Sequence, residues 1–332
     1  MSKKYILIIV ITLIAAVIAT VGITVFVGKP EILPPDREQN ALQTDKKNED
    51  PFCVLVLGKD RASGLTDVIM LVSFDPAKDR ISVMQIPRDT YAEYGAKSHN
   101  KINGALAELG GADKLEAFFE RTLGVSIDGH LTLDLDAFRE IVDTLGGVEI
   151  ELDAPLRYSD PSQKLYIDLP RGKQVLDGKQ AEMYVRYRSG YAKGDIDRLD
   201  AQKKFLAALF ETVKKQISAE NAYGIASSVV RAVDTDVGLA MGVALGLEAI
   251  NVDSSKLYFF TLPGEAAVSR RSGASYYVMS AKPAQRILTE YFGKEAEGID
   301  VEKSFSHPSY KEFIRIYEKD SETLPKRADE LK

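Results

Sequence analysis

Asp60 closes the apolar run Phe52–Leu57 through Gly58 and Lys59, and Asp67 opens the next one, so two carboxylates stand at the mouths of adjacent runs. Hard oxygen ligands on such loops suit one Mg²⁺, which keeps several waters and takes one or two carboxylates plus phosphate oxygens. The ordinary alternative is that both acids cap turns, where Asp is common. Arg88 and Asp89 follow the third run, Ile81–Ile86, close to the same edge. Arg186 and Arg188 stand two apart in YVRYR, followed by Asp195, Asp197 and Arg198. With Arg61 these make five arginines, interleaved with acids, at the ends of segments. Guanidinium forks recognise phosphates through fixed bidentate hydrogen bonds. Taken singly, each arginine reads as half of a surface ion pair contributing about 0–1 kcal/mol; only the grouping points to a phosphate-handling site.

Composition limits what else the chain can do. Its 332 residues are 45% hydrophobic and 28% charged, as in an ordinary globular protein. The formal charge of −6 argues against a dedicated nucleic-acid binder, which needs clustered positive charge. Cys53 is the single cysteine, so neither an intrachain disulfide nor a thiolate zinc site can form. His99, His130 and His307 are far apart, which disfavours a histidine-rich metal site and leaves few candidates for a Ser-His-Asp triad.

The elements that must position these groups begin after a distinct N-terminus. Tyr5–Val27 carries no charge and no proline over 23 residues. At about 1.5 Å per residue a helix of that length crosses a hydrocarbon core of roughly 30 Å. A cleaved signal peptide is the alternative, but its apolar region is usually only about 7–15 residues long. Lys3 and Lys4 before the run favour a cytoplasmic N-terminus, residues 1–4, with everything after the span outside. Residues 28–50, with Pro30, Pro34 and Pro35 and a polar stretch, lack hydrophobic periodicity and read as a flexible stalk. An extracellular domain is expected over 51–295 and a charge-rich helical tail over 296–332.

Within that domain FCVLVL, VIMLVSF and ISVMQI read as buried strands, and the DPAKDR turn at 75–80 makes the last two an antiparallel hairpin. Helical spacing recurs at 102–108, 113–122, 135–145, 177–186, 198–216, 222–232 and 239–250, with further strands at 130–135, 148–152 and 256–262. This alternation predicts an α/β fold, a mixed central sheet flanked by helices.

The ordered motifs GKDR (58–61), TDVIMLVS (66–73), IPRDT (86–90), KIN (101–103), LGGVE (145–149), YVRYR (184–188) and DIDRLDAQ (195–202) resemble the LytR-CpsA-Psr family of cell-wall glycopolymer ligases. The resemblance implies a membrane-anchored, outward-facing enzyme of that α/β/α type. It would move an anionic glycopolymer, such as teichoic acid or capsule, from a polyprenyl-pyrophosphate lipid to peptidoglycan through a phosphodiester. It also implies that Asp60 and Asp67 hold Mg²⁺ and that Arg61, Arg88, Arg186, Arg188 and Arg198 cradle the pyrophosphate. Lys101, Asp195 and Gln202 fall in the same motifs. The chain departs from the family in a shorter 60–67 loop, in Leu65 where relatives often carry arginine, and in a short 89–101 segment.

Phosphoryl transfer of this kind rests on positioning and electrostatics, with a base for the attacking sugar hydroxyl. Asp89 and Asp195 are both candidates for that base. An apolar pocket for the polyprenyl chain is implied too, with Phe138, Leu206, Leu209, Phe210 and Val213 as candidate linings; the same spacing is the usual mark of a packed helix face. Two other functions fit the composition: a metal-dependent pyrophosphatase acting on polyprenyl pyrophosphate, and a membrane-tethered binder or regulator of wall polymers. Two acids beside a phosphate site would bring a pure anion binder nothing. The Arg270-Arg271 loop, which could touch wall polymer, reads as a solvated turn.

Overall fold

Strands covered on both faces must be apolar on both, and the first three runs meet that condition. In a computed structural model of the chain they form β1 (Phe52–Lys59), β2 (Thr66–Asp75) and β3 (Arg80–Gln85), and all ten residues of β2 are buried. The structure describes residues 51–60, 64–95, 100–161, 165–187, 195–216, 229, 232–237, 249–293, 313–315 and 325–331, with the side chains of 195–198 and 313–315 left aside. The expected span at 5–27 and the stalk at 28–50 lie outside these residues, as do Arg61, His99, Arg188, His307 and most of the helices expected at 222–232 and 239–250. Among the described residues no helix is long and apolar enough to cross a membrane.

After β3 come α1 (Ala105–Leu109), α2 (Ala112–Leu123), β4 (Gly129–Leu133) and α3 (Leu135–Thr144). Then follow β5 (Val148–Leu152), β6 (Leu156–Asp160), β7 (Leu165–Leu169), β8 (Gly172–Leu176), α4 (Gly178–Arg186) and α5 (Asp195–Gln216). The rest comprises β9 (Asp234–Thr235), β10 (Leu257–Thr261), β11 (Gly264–Ser269), β12 (Ser275–Met279), α6 (Ala281–Tyr291), β13 (Phe313–Arg315) and β14 (Lys326–Arg327). The central sheet has the order β14-β10-β3-β2-β1-β4-β9. It is mixed: β1–β2 and β2–β3 are antiparallel, whereas β1–β4 and β3–β10 are parallel.

Period-two alternation divides the apolar side chains between two layers. Val54, Val56, Val68, Met70 and Val83 pack against α3, α4 and α5. Cys53, Leu55, Leu57, Ile69, Leu71 and Met84 pack against α1, α2 and α6. The α/β/α expectation therefore holds for the described domain. Phe138, Leu206, Leu209, Phe210 and Val213 are wholly buried within the first of these layers.

The β2–β3 hairpin is held at both ends by buried ion pairs. At the turn end Arg80 Nη2 donates to Asp75 Oδ2 at 3.3 Å and to the Glu290 carbonyl at 2.6 Å, with its guanidinium 4.4 Å from the Tyr291 ring centroid. The turn is a short 3₁₀ segment capped by Asp75, whose side chain accepts from Lys78 N, and Asp79 leaves it with φ 50°. Within 296–332, expected to be a helical tail, the structure describes only 313–315 and 325–331. These include strands β13 and β14 and a 3₁₀ turn, with β14 paired to β10 and Ala328 buried in the core. A free β10 edge takes the backbone of 326–327, which charge content alone does not disclose.

Candidate active site

Register places one edge of the sheet in common. Gly58 pairs with Val68 and with Leu133, Met70 with Gln85, and Gln85 with Thr261. The carboxyl ends of β1, β3, β4 and β10 and the start of β2 therefore lie side by side, the place where open α/β sheets bind ligands. Asp60, Asp67, Arg88 and Asp89 emerge there from three different strands.

Asp60 and Asp67 are each 3% exposed and Arg88 is 7% exposed. The β1–β2 loop folds back through hydrogen bonds from Asp60 N to the Leu65 carbonyl at 2.9 Å and from Gly64 N to the Asp60 carbonyl at 2.8 Å. Arg88 Nη1 donates to Asp67 Oδ1 at 2.8 Å. Arg88 Nε lies 3.7 Å from Asp89 Oδ2, beyond hydrogen-bond reach, and makes no hydrogen bond among the described residues. Lys101 Nζ in turn donates to Asp89 Oδ1 at 2.7 Å and sits 5.4 Å from the centre of the Tyr276 ring. The 100–103 strap is fixed to the site by Ile102 N donating to the Thr90 carbonyl at 2.9 Å and Asn103 N to the Arg88 carbonyl at 3.2 Å. Four predicted residues thus form a continuous chain, Asp67–Arg88–Asp89–Lys101.

Gln202 joins the same region from α5. Gln85 Nε2 donates to Gln202 Oε1 at 3.3 Å, and both amides are buried. The remaining amide atoms, Gln85 Oε1 and Gln202 Nε2, have no hydrogen-bond partner among the described residues, and neither has Thr66 Oγ1 beside Asp67. Native interiors leave few such atoms, because each costs about 1–3 kcal/mol unless water or a polar ligand meets it. Positions 195 and 198 precede Gln202 at helical spacing and share its face of α5.

Arg186 occupies the last turn of α4. It pairs with Glu182 one turn earlier, and Glu182 also accepts from Arg139 of α3, which pairs with Asp136. Burial opposes the charge on Arg139, but the Glu182 and Asp136 carboxylates outweigh it and hold that guanidinium above its usual range. Sequence reading missed Glu182, although its i,i+4 spacing to Arg186 was a usable signal. It also missed Gln85, which nothing but its place at a strand end distinguishes.

Asp60 and Asp67 offer buried hard oxygens at this edge, the donor type that suits a divalent cation such as Mg²⁺, and the Thr66 hydroxyl next in sequence to Asp67 has no hydrogen-bond partner among the described residues. A separate constellation joins Glu116, His130 and Asp236. His130 Nδ1 lies 2.7 Å from Glu116 Oε1 and 3.2 Å from Asp236 Oδ1. Burial opposes protonation of this imidazole, but hydrogen bonds to the two carboxylates prevail and hold its pKa up at about 10. It acts as an ion triad that ties α2, β4 and the segment after β9 together.

The chain is 27% identical over 248 residues to the Bacillus subtilis polyisoprenyl-teichoic acid–peptidoglycan teichoic acid transferase TagV, covering 71% of this chain and 63% of TagV. It is 26% identical over 271 residues to the corresponding TagU of Oceanobacillus iheyensis, covering 79% and 82% of the two chains. The crystal structure of B. subtilis TagV superposes with a TM-score of 0.63 at 25% identity, over 75% of this chain and 99% of that one. The LytR_cpsA_psr family model matches residues 29–292, and with the sheet edge described above this establishes that the chain belongs to the LytR-CpsA-Psr family.

Proposed function

We propose that the protein is a membrane-anchored transferase that moves an anionic cell-wall glycopolymer, of the teichoic acid class, from a polyprenyl-pyrophosphate carrier to peptidoglycan. The observation that carries this reading is Arg88. Its guanidinium is buried, its Nη1 is committed to Asp67, and its Nε makes no hydrogen bond among the described residues. A buried cationic donor at the carboxyl edge of the sheet suits a phosphate oxygen. The names of the TagU and TagV relatives support the polymer and acceptor classes, and the charge-free run at 5–27 supports the anchor.

In this reading a sugar hydroxyl of peptidoglycan attacks the phosphorus that carries the polymer. A new P–O bond forms as the bond to the bridging pyrophosphate oxygen breaks, and polyprenyl phosphate departs with that electron pair. The hydroxyl proton passes to a carboxylate, Asp89 or Asp195. Asp60 and Asp67 would hold Mg²⁺, which supplies neutralisation of the diphosphate charge. Arg88, with Arg61, Arg186, Arg188 and Arg198, binds and orients the phosphates, Lys101 keeps Asp89 in place, and Gln202 contacts the donor.

The test uses the full chain in detergent with a lipid-linked teichoic acid precursor and peptidoglycan. Covalent polymer on peptidoglycan, with polyprenyl phosphate released only when acceptor is present, is the expected result. Release without acceptor would identify a pyrophosphatase, and binding without release a tethered binder; either outcome rejects the transferase.

A further inference from the structure

Resting on the reading above, we infer that Gln85, a residue outside every motif of the site, is a positioning residue that aims the Gln202 side chain at the donor's phosphate. Gln85 ends β3, three residues before Arg88, and its strand register sets it beside Thr261 of β10 and Met70 of β2. Its Nε2 donates to Gln202 Oε1 at 3.3 Å. An amide whose oxygen is held this way can turn only its nitrogen elsewhere, and Gln202 Nε2 is indeed buried with no partner among the described residues. It therefore stands as a donor awaiting an acceptor, and the anionic oxygens handled by Arg88 are the acceptors this site is built for.

The place of Gln202 along α5 explains why its orientation matters. Arg198 lies one turn earlier on the same helix face, whereas Phe205, Leu206 and Leu209 just beyond are wholly buried and apolar. Gln202 is thus the boundary between the charged mouth and the apolar layer. An amide turned the wrong way there would present its oxygen to a phosphate and repel it. Gln85 Oε1, likewise partnerless among the described residues, adds an acceptor for a hydroxyl or a water bound with the donor.

Two variants separate aiming from packing. Gln85→Met keeps length and removes the hydrogen bond. Gln85→Glu instead offers Gln202 an acceptor, drawing its nitrogen away from the phosphate. We expect the Kd and KM for the polyprenyl-pyrophosphate donor to rise roughly tenfold in Gln85→Met, the worth of one hydrogen bond to a charged group, and further in Gln85→Glu. The KM for peptidoglycan should stay put, and Gln202→Met should add little to Gln85→Met. A folded Gln85→Met protein with wild-type donor Kd overturns the inference, as does a fall in thermal stability with both KM values moved alike. Donor binding is read apart from transfer, so a wild-type protein that binds the lipid without transferring polymer rejects the transferase reading while the Gln85 comparison still stands or falls on Kd.

Discussion

Replacing Arg88 by methionine removes the guanidinium 2.8 Å from Asp67, a carboxylate that is 3% exposed. Breaking a buried ion pair by deleting one member costs about 3–5 kcal/mol, because the other charge stays buried. The lower figure applies here, since Asp89 at the rim is 35% exposed at its side chain and water reaches the neighbourhood. A loss of about 3 kcal/mol corresponds to roughly 6–12 °C in Tm for a domain of this size. In Arg88→Met/Asp67→Leu both charges go, and an apolar pair in place of a buried ion pair is near neutral; stability should return to within about 1 kcal/mol of wild type. Transfer should not return, because loss of a charge-stabilising donor alone lowers rates by about 10²–10³. Urea unfolding followed by far-ultraviolet circular dichroism suits a chain without tryptophan, with polymer transfer measured beside it. A single variant as stable as wild type, or a double variant that ligates normally, would refute the assignment.

Other outcomes follow from neighbouring features. Chelation of divalent cations should abolish transfer and Mg²⁺ restore it, and Asp60→Asn should raise the Mg²⁺ needed for half-maximal rate about tenfold, read from initial velocities. His130 has a folded pKa raised from 6.5 to about 10 by Asp236 and Glu116 against the opposing effect of burial. The stability it contributes is therefore fully present below pH 6.5 and lost as pH climbs through 10; urea midpoints across that window should show the loss, and His130→Gln should flatten it. Gly178→Ala would set a Cβ 2.3 Å from the Arg139 carbonyl oxygen, so about 1–3 kcal/mol of stability should go, with a displaced α4 and slower transfer. The Asp89–Lys101 pair, partly exposed, should show a coupling of about 1 kcal/mol or less in a double-mutant cycle of thermal unfolding.

What could be read from the chain was what local patterning controls. Doubly buried strands such as VIMLVSF announce themselves by continuous apolarity, and DPAKDR carried its own turn chemistry. Asp177, expected as the first residue of the helix over 177–186, stands one residue before α4 as the N-cap of a capping box with Gln180. The β6–β7 and β5–β8 ribbons passed unnoticed except for β5, because half-exposed strands such as LRYSD and GKQVL mix charge with apolar residues and lack a distinctive period. The parallel β1–β4 and β3–β10 pairings join residues far apart in sequence and leave no local trace. At the site, Asp60, Asp67, Arg88 and Asp89 could be proposed because each follows or precedes a strand at the same edge, whereas Lys101 was marked only by the family motif KIN. Glu182 had only its i,i+4 spacing to Arg186 to mark it, and Arg139 had nothing, since its reach to Glu182 is defined by how α3 and α4 pack.

The two braces of the β2–β3 hairpin stand at matching intervals: Asp67 and Asp75 are eight residues apart, as are Arg80 and Arg88. The hairpin therefore works as a ruler graduated at both ends. Lengthening the 76–79 bend leaves both graduations aligned, whereas one residue added or deleted inside either strand misaligns one of them. Natural or laboratory variation in this region should then be sharply uneven, permissive at the bend and intolerant along the arms, with the Asp75–Arg80 contact serving as a built-in record of whether alignment survived.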